Sequence, residues 1–220
     1  MLDYGTDDGA PYMAIELVRG LGLDKLLAEA KAQEKPLGAA VAAEIAAGVL
    51  RGVGEAHIAG LIHRNLKPAH IFFSRAGLDE LDLKLGGFGA VRPEGSDMTR
   101  TGQMLSSPAY MSPEAILSRT LDGRTDLYAL GVVLFRVLSN ELPYRATNRM
   151  IMMAQHVNEP VPDPPIDPNS PIGAPLSAFV KRLLAKDAND RFADASDALA
   201  HLCDIAGSSL VDPIALKQLV

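Results

Sequence analysis

Residues 126–138, DLYALGVVLFRVL, would be apolar on nearly every face of a helix. A helix of that kind has to be enclosed by protein on all sides. The rest of the chain must therefore supply layers around it, and the patterning shows where they come from. Val41, Ile45, Val49 and Val53 recur every four residues, one apolar stripe on a long helix over residues 37–59. Gly60 is a natural stop for that helix. A last helix is expected over residues 194–206 with Ala195, Leu199 and Leu202 inward, ended by Gly207; its neighbours place Cys203 in the core. Short apolar runs at 61–62, 71–73 and 81–85 read as strands. Two more strands, around 2–4 and 12–17, flank a polar turn at 5–10, where Asp7, Asp8 and Gly9 suit a tight reversal. Seven prolines between 159 and 175 mark a loop, and helical patterning resumes at Leu176. The expected fold class is α+β, mainly helical.

A chain of 220 residues can bury a substantial core. A net charge of −6 argues against a nucleic-acid or acidic-membrane surface. No apolar run approaches the ~20 residues that a membrane span needs, and the opening MLDYGTDD lacks the basic and apolar regions of a signal peptide. A cytoplasmic location is the resulting expectation. With one cysteine, no internal disulfide can form.

The chemistry concentrates in residues 61–73, LIHRNLKPAHIFF. They resemble the catalytic loop of protein kinases, His-Arg-Asp-Leu-Lys-Pro-x-Asn between short apolar strands. His63, Arg64, Leu66, Lys67 and Pro68 fit that frame. Asn65 stands where the family has its catalytic Asp, and His70 where it has a metal-binding Asn. Residues 83–91, LKLGGFGAV, resemble the metal-binding Asp-Phe-Gly segment; Phe88 and Gly89 match, but Gly87 occupies the Asp position. In the family that Asp holds the magnesium bridging the nucleotide phosphates. Magnesium takes hard oxygen ligands; glycine offers none, and His70 offers nitrogen.

Further segments follow in family order. YMAIELVRGLGLDKLL at 12–27 resembles the fifth strand, hinge and first helix of the large lobe. PAYMSPE at 108–114 resembles the end of the activation segment, with Ser112 for Ala. DGRTDLYALGVVLF at 122–135, ELPY at 141–144 and LLAKDANDRF at 183–192 complete the series. The resemblance covers roughly residues 2–206 and points to bacterial Ser/Thr kinases of the eukaryotic type.

The resemblance implies roles. His63 packs under Phe88. Asp126 accepts hydrogen bonds from the loop backbone, and Glu114 forms a buried ion pair with Arg191. The backbone from Glu16 to Val18 holds adenine, over a floor that includes Phe72. Lys67 contacts the transferred phosphate. Arg64 meets a phosphate on the activation segment, for which Thr99 and Thr101 are the candidate phosphosites. Ser107 and Lys67 indicate a Ser/Thr rather than Tyr lineage. Read one at a time, each residue has a plainer account. His63 is then a core histidine, Asp126 a helix N-terminal residue and Lys67 a solvated lysine. Glu114 and Arg191 become separate surface charges, and Thr99 and Thr101 unmodified loop hydroxyls.

Residues 1–18 are expected to form a remnant small-lobe hairpin and hinge, 19–206 a kinase-like large lobe, and 207–220 a tail. The chain carries no Gly-rich loop, Val-Ala-x-Lys strand or partner Glu helix. Losing a general base costs about 10²–10⁴ in rate, and losing metal sites removes charge stabilisation, usually the largest catalytic term. The expectation is a pseudokinase, a binding or regulatory module in phosphorylation signalling. The alternative is a truncated or atypical Ser/Thr kinase transferring phosphate from ATP to protein; a truncated or decayed gene copy is the third reading. No cofactor is expected beyond weak ATP binding, and no magnesium. The expected partner is a protein or a second copy, engaging the small-lobe edge through Tyr12, Ala14, Ile15 and Leu17, with an upstream kinase acting on the threonines. Nucleic acid and membrane spans are excluded.

Overall fold

The computed structural model describes residues 3–8, 10–75, 81–88, 92–93, 107–165, 167 and 169–207. Strands β1 (Asp3–Asp7) and β2 (Ala10–Ala14) pair antiparallel across the turn at Asp8, whose φ is +47°. Then come β3 (Gly20–Gly22), α1 (Leu23–Ala32), α2 (Ala39–Ile58) and β4 (Leu61–Ile62). Next are β5 (Ile71–Arg75), β6 (Leu81–Leu85) and β7 (Arg92–Pro93). The remaining elements are helices joined by loops: α3 (Pro113–Ile116), α4 (Arg124–Ser139), α5 (Arg149–Asn158), α6 (Gly173–Leu183) and α7 (Ala195–Ala206).

The helix that is apolar all round is α4, and it lies at the centre. From Thr125 to Leu138 every residue except Arg136 is buried. Helices α2 and α6 pack against it, and α7 packs on α2. The stripe Val41, Ile45, Val49, Val53 is buried, widened by Ala42, Ala46 and Leu50. The other side of α2 receives the sheet β3-β5-β6, whose strands are antiparallel. Gly48 and Gly52 permit the approach: a Cβ at either would lie 2.7 Å from a methyl of Leu83 or Leu85. This seating fixes β6, and with it the two glycines that follow.

Several features differ from the sequence reading. The hairpin strands are Asp3–Asp7 and Ala10–Ala14 rather than 2–4 and 12–17, so most of the expected turn at 5–10 is strand. Helix α6 begins at Gly173 rather than Leu176. Pro175 looks like a breaker, yet the first turn of a helix needs no N–H from it; Leu176 makes the first intrahelical bond, to Ile172. Cys203 is exposed rather than in the core. The inward stripe of α7 is Ala195, Ala198, Leu202 and Ala206, and Cys203 stands beside it; Leu199 is half-buried. Strand β3 has no pattern of its own and exists because Leu21 pairs opposite Phe73. Gly60, at φ +72°, and Gly207, at φ +57°, lie just past their helices, and Asp194 caps the start of α7 by accepting from the Asp197 N–H. In β2 and just after it, Tyr12, Ile15 and Leu17 are exposed and Ala14 is half-buried.

Helix α5 carries a buried imidazole. His156 Nδ1 lies 2.8 Å from the Tyr128 hydroxyl, and its ring meets Tyr144 edge-on. Burial, aided by the Lys186 charge, outweighs the backbone contact to Ala109 and lowers its pKa to about 4. Between pH 6.5 and about 4 the unfolded chain therefore binds a proton that the folded chain refuses. This contribution to stability is intact above pH 6.5 and is lost as pH falls, by about 3 kcal/mol in all. Urea unfolding at pH 7 and pH 4.5 should show that loss, and His156→Gln should remove most of it. An equal loss in the variant would contradict the assignment.

Candidate functional site

The loop between β4 and β5 is held from below by one carboxylate. Asp126, in the first turn of α4, accepts the backbone N–H of His63 at 2.9 Å and of Arg64 at 2.8 Å. His57 Nε2, at the end of α2, lies 2.8 Å from the same carboxylate. A fully buried carboxylate persists only with such partners; these join α2, α4 and the loop. They also let Arg64 hold a φ of +59°. The resemblance implied hydrogen bonds from the loop backbone to Asp126, without naming the donors, and missed His57, whose only signal was its place three residues before the helix-ending Gly60.

His63 is fully buried. Its Nε2 lies 2.8 Å from the Gly86 carbonyl, which can only accept, so Nε2 carries the proton. Nδ1 is then free to accept the Asn65 N–H at 3.3 Å. The ring packs against Phe88 with centroids 4.5 Å apart and planes tilted by 56°, in the contact that the resemblance implies, although Phe88 itself is 38% exposed.

The three replaced positions meet one another. His70 closes a single 3-10 turn, Pro68–His70, whose N–H returns to the Lys67 carbonyl. Its Nδ1 lies 2.8 Å from the Asn65 carbonyl and so donates to it. Burial lowers the His70 pKa below its ordinary 6.5, and the Lys67 charge adds to this against the opposing Asn65 bond; the neutral ring predominates at pH 7. Gly87 has φ +79°, and a Cβ there would fall within 2.5 Å of ring atoms Nδ1, Cε1 and Cγ of His70. The imidazole thus fills the space from which a side chain at position 87 would project.

The remaining candidates lie around this cluster. Phe72 is half-buried, and its ring edge would meet a Cβ on Gly86 at 2.8 Å. Lys67 and Val18 are half-buried. Glu16 is exposed, with its carboxylate paired to Lys84. Thr99, Thr101 and Gly89 lie outside the described residues. Away from the loop, Arg191 makes a two-pronged pair with Glu114, 2.8 Å on each oxygen. Ser112 and Thr125 extend that pair: their hydroxyls are 2.6 Å apart, and Thr125 donates to Glu114 at 3.0 Å. The sequence offered Ser112 only as a stand-in for Ala, and gave no sign of Thr125.

Residues 1–202 match the family model for the protein kinase domain. Serine/threonine-protein kinase pkn3 of Myxococcus xanthus is 33% identical over 209 residues, 92% of this chain and 38% of that protein. Serine/threonine-protein kinase PksC of Streptomyces coelicolor is 33% identical over 217 residues, 97% of this chain and 39% of that one. The DNA damage-responsive serine/threonine-protein kinase RqkA of Deinococcus radiodurans is 34% identical over 213 residues, 96% and 31% respectively. The chain thus spans well under half the length of each of these relatives.

Kinase domains of this kind work with magnesium, and the residues present do not fit it. Magnesium takes near-octahedral oxygen ligands. Position 87 has no side chain, and the His70 edge that faces it presents an N–H already committed to Asn65. Among the described residues no three His, Cys, Asp or Glu side chains cluster as metal ligands would. No helix among them is long and apolar enough to cross a membrane.

Proposed function

The chain belongs to the protein kinase domain family, and from that premise we propose that it acts in phosphorylation signalling as a pseudokinase, a kinase-shaped binding or regulatory module that does not transfer phosphate. One observation carries the reading. The positions that would supply the base and both metal ligands are Asn65, His70 and Gly87, and they are tied to each other. An amide, a neutral imidazole and a bare backbone offer no carboxylate to take a proton or hold a cation. Removing a general base alone costs about 10²–10⁴, and the electrostatic loss at the phosphates comes in addition.

The supporting architecture is kept. The Asp126 network still shapes the loop, and the Glu114–Arg191 pair still braces the helices. Retained shape with altered chemistry suits a protein selected for binding. The exposed side chains of Tyr12, Ile15 and Leu17 favour a protein partner. The competing reading, an atypical Ser/Thr kinase, draws on the relatives, which are named as kinases, and on Lys67, which the family uses at the transferred phosphate.

Metal dependence of nucleotide binding separates the two. The backbone of residues 16–18 and the Phe72 ring can hold adenine weakly with no metal. The pseudokinase reading expects thermal midpoints in ATP that are the same with and without magnesium or manganese. A ligand at 100 times its Kd stabilises by about 2.7 kcal/mol, a shift of roughly 5–10 °C for a chain of this size. A shift of that order appearing only with the metal would favour the kinase.

A further inference from the structure

We infer that His70 is a plug: its imidazole, by standing where a side chain at position 87 would emerge, is what closes this site to divalent cations, so that His70 and Gly87 are one coupled change rather than two separate losses. The inference rests on the pseudokinase reading and adds to it a cause. Loss of a carboxylate leaves an empty space that a water or a cation could share. Here the space is filled.

The fit leaves no slack. A Cβ on residue 87 would sit within 2.5 Å of three atoms of the ring, far inside van der Waals contact. The ring cannot swing aside as the end of a long side chain would. Its Nδ1–H is bonded to the Asn65 carbonyl, and the backbone carbonyl of His70 accepts the Gly86 N–H, each at 2.8 Å. The His63 ring stands 6.0 Å away, centroid to centroid, and is itself bonded to the Gly86 carbonyl. The backbone of residues 86–87 and the ring of residue 70 are therefore fixed against each other. While residue 70 is histidine, only glycine fits at 87. Once residue 70 is smaller, the ring no longer bars a side chain at 87.

Gly87 also has a positive φ, which disfavours any Cβ whatever its neighbours. A double-mutant cycle removes that contribution, because it is the same in both backgrounds. The variants are Gly87→Ala, His70→Ala and the pair together, read by thermal midpoint. The plug predicts that the drop caused by Gly87→Ala is at least halved when His70 is already alanine. Equal drops in the two backgrounds would overturn it. If Gly87→Ala is insoluble alone, recovery of folded protein in the His70→Ala background supports the plug, and insolubility in both counts against it.

A second arm reads the cation directly. Manganese titrated into the protein and followed by electron paramagnetic resonance should stay free with the wild type and with His70→Asn. It should be immobilised by the double variant His70→Asn/Gly87→Asp, which opens the space and places oxygen on both sides of it. Immobilisation by the wild type, or none by the double variant, would overturn the assignment. Phosphate transfer by the wild type would instead sink the pseudokinase reading and leave the stability cycle as measured, so the two failures are distinguishable.

Discussion

Replacing Arg191 with alanine should lower the unfolding free energy by about 3–5 kcal/mol, the cost of stripping one partner from a buried ion pair. The Arg191 side chain is 0% exposed and uses its guanidinium in full. Beyond the two bonds to Glu114 it donates to the carbonyls of Ala185 at 2.8 Å, Arg124 at 2.9 Å and Lys186 at 3.3 Å. These acceptors belong to the entry of α4 and to the turn after α6, and Glu114 stands on α3, so one side chain ties three parts of the fold together. It also lies 4.9 Å from the centre of the Tyr128 ring. Truncation leaves a largely enclosed carboxylate and several carbonyls without their donor, each costly to strand. Against a typical total of about 5–15 kcal/mol, the loss is a large fraction. Lysine should not rescue it, because a single ammonium cannot reproduce the planar fork. Chemical denaturation of the alanine and lysine variants is the check; a change under about 1 kcal/mol, the range of an exposed pair, would contradict the account.

The same pair sets an acid limit. Burial alone would raise the Glu114 pKa, but the hydrogen bonds and charge of Arg191 outweigh it, and the net shift is downward from the ordinary 4.5. A depressed carboxylate stabilises the fold above its unfolded pKa, and that stability is lost as pH falls through the folded value. The wild type should therefore hold this contribution down to about pH 4.5 and lose it below. With Arg191 gone, burial is left to raise the Glu114 pKa, and the acid limit should move upward.

Which parts of this were legible in the sequence follows from how local each signal was. Helix α4 announced itself because an all-round apolar helix has one solution, burial. The stripe of α2 and the glycines at 60 and 207 are periodic or conformational signals that act within one element. Asp126, Glu114 and Arg191 were legible through the family resemblance, since nothing in their spacing pairs residues 77 apart. Strand β3 was not legible, because three residues around one leucine take their identity from the partner strand. Cys203 was misplaced by a single position on α7, where the choice between buried and exposed turns on a rotation of about 100°. The link between His70 and Gly87 was also out of reach. Each replacement was visible, but their contact depends on how a ring on one turn meets a backbone 17 residues later.

The central claim is that this cleft does not move phosphate. The most direct measurement is transfer from labelled ATP, with magnesium or manganese, to a generic basic protein substrate, with Lys67→Ala run in parallel. Active protein kinases turn over at about 1–100 per second, so even a loss of 10³ leaves a readable signal. The account predicts no incorporation above background, or incorporation identical in wild type and Lys67→Ala, as a contaminant would give. Metal-dependent incorporation by the wild type that Lys67→Ala abolishes would contradict it.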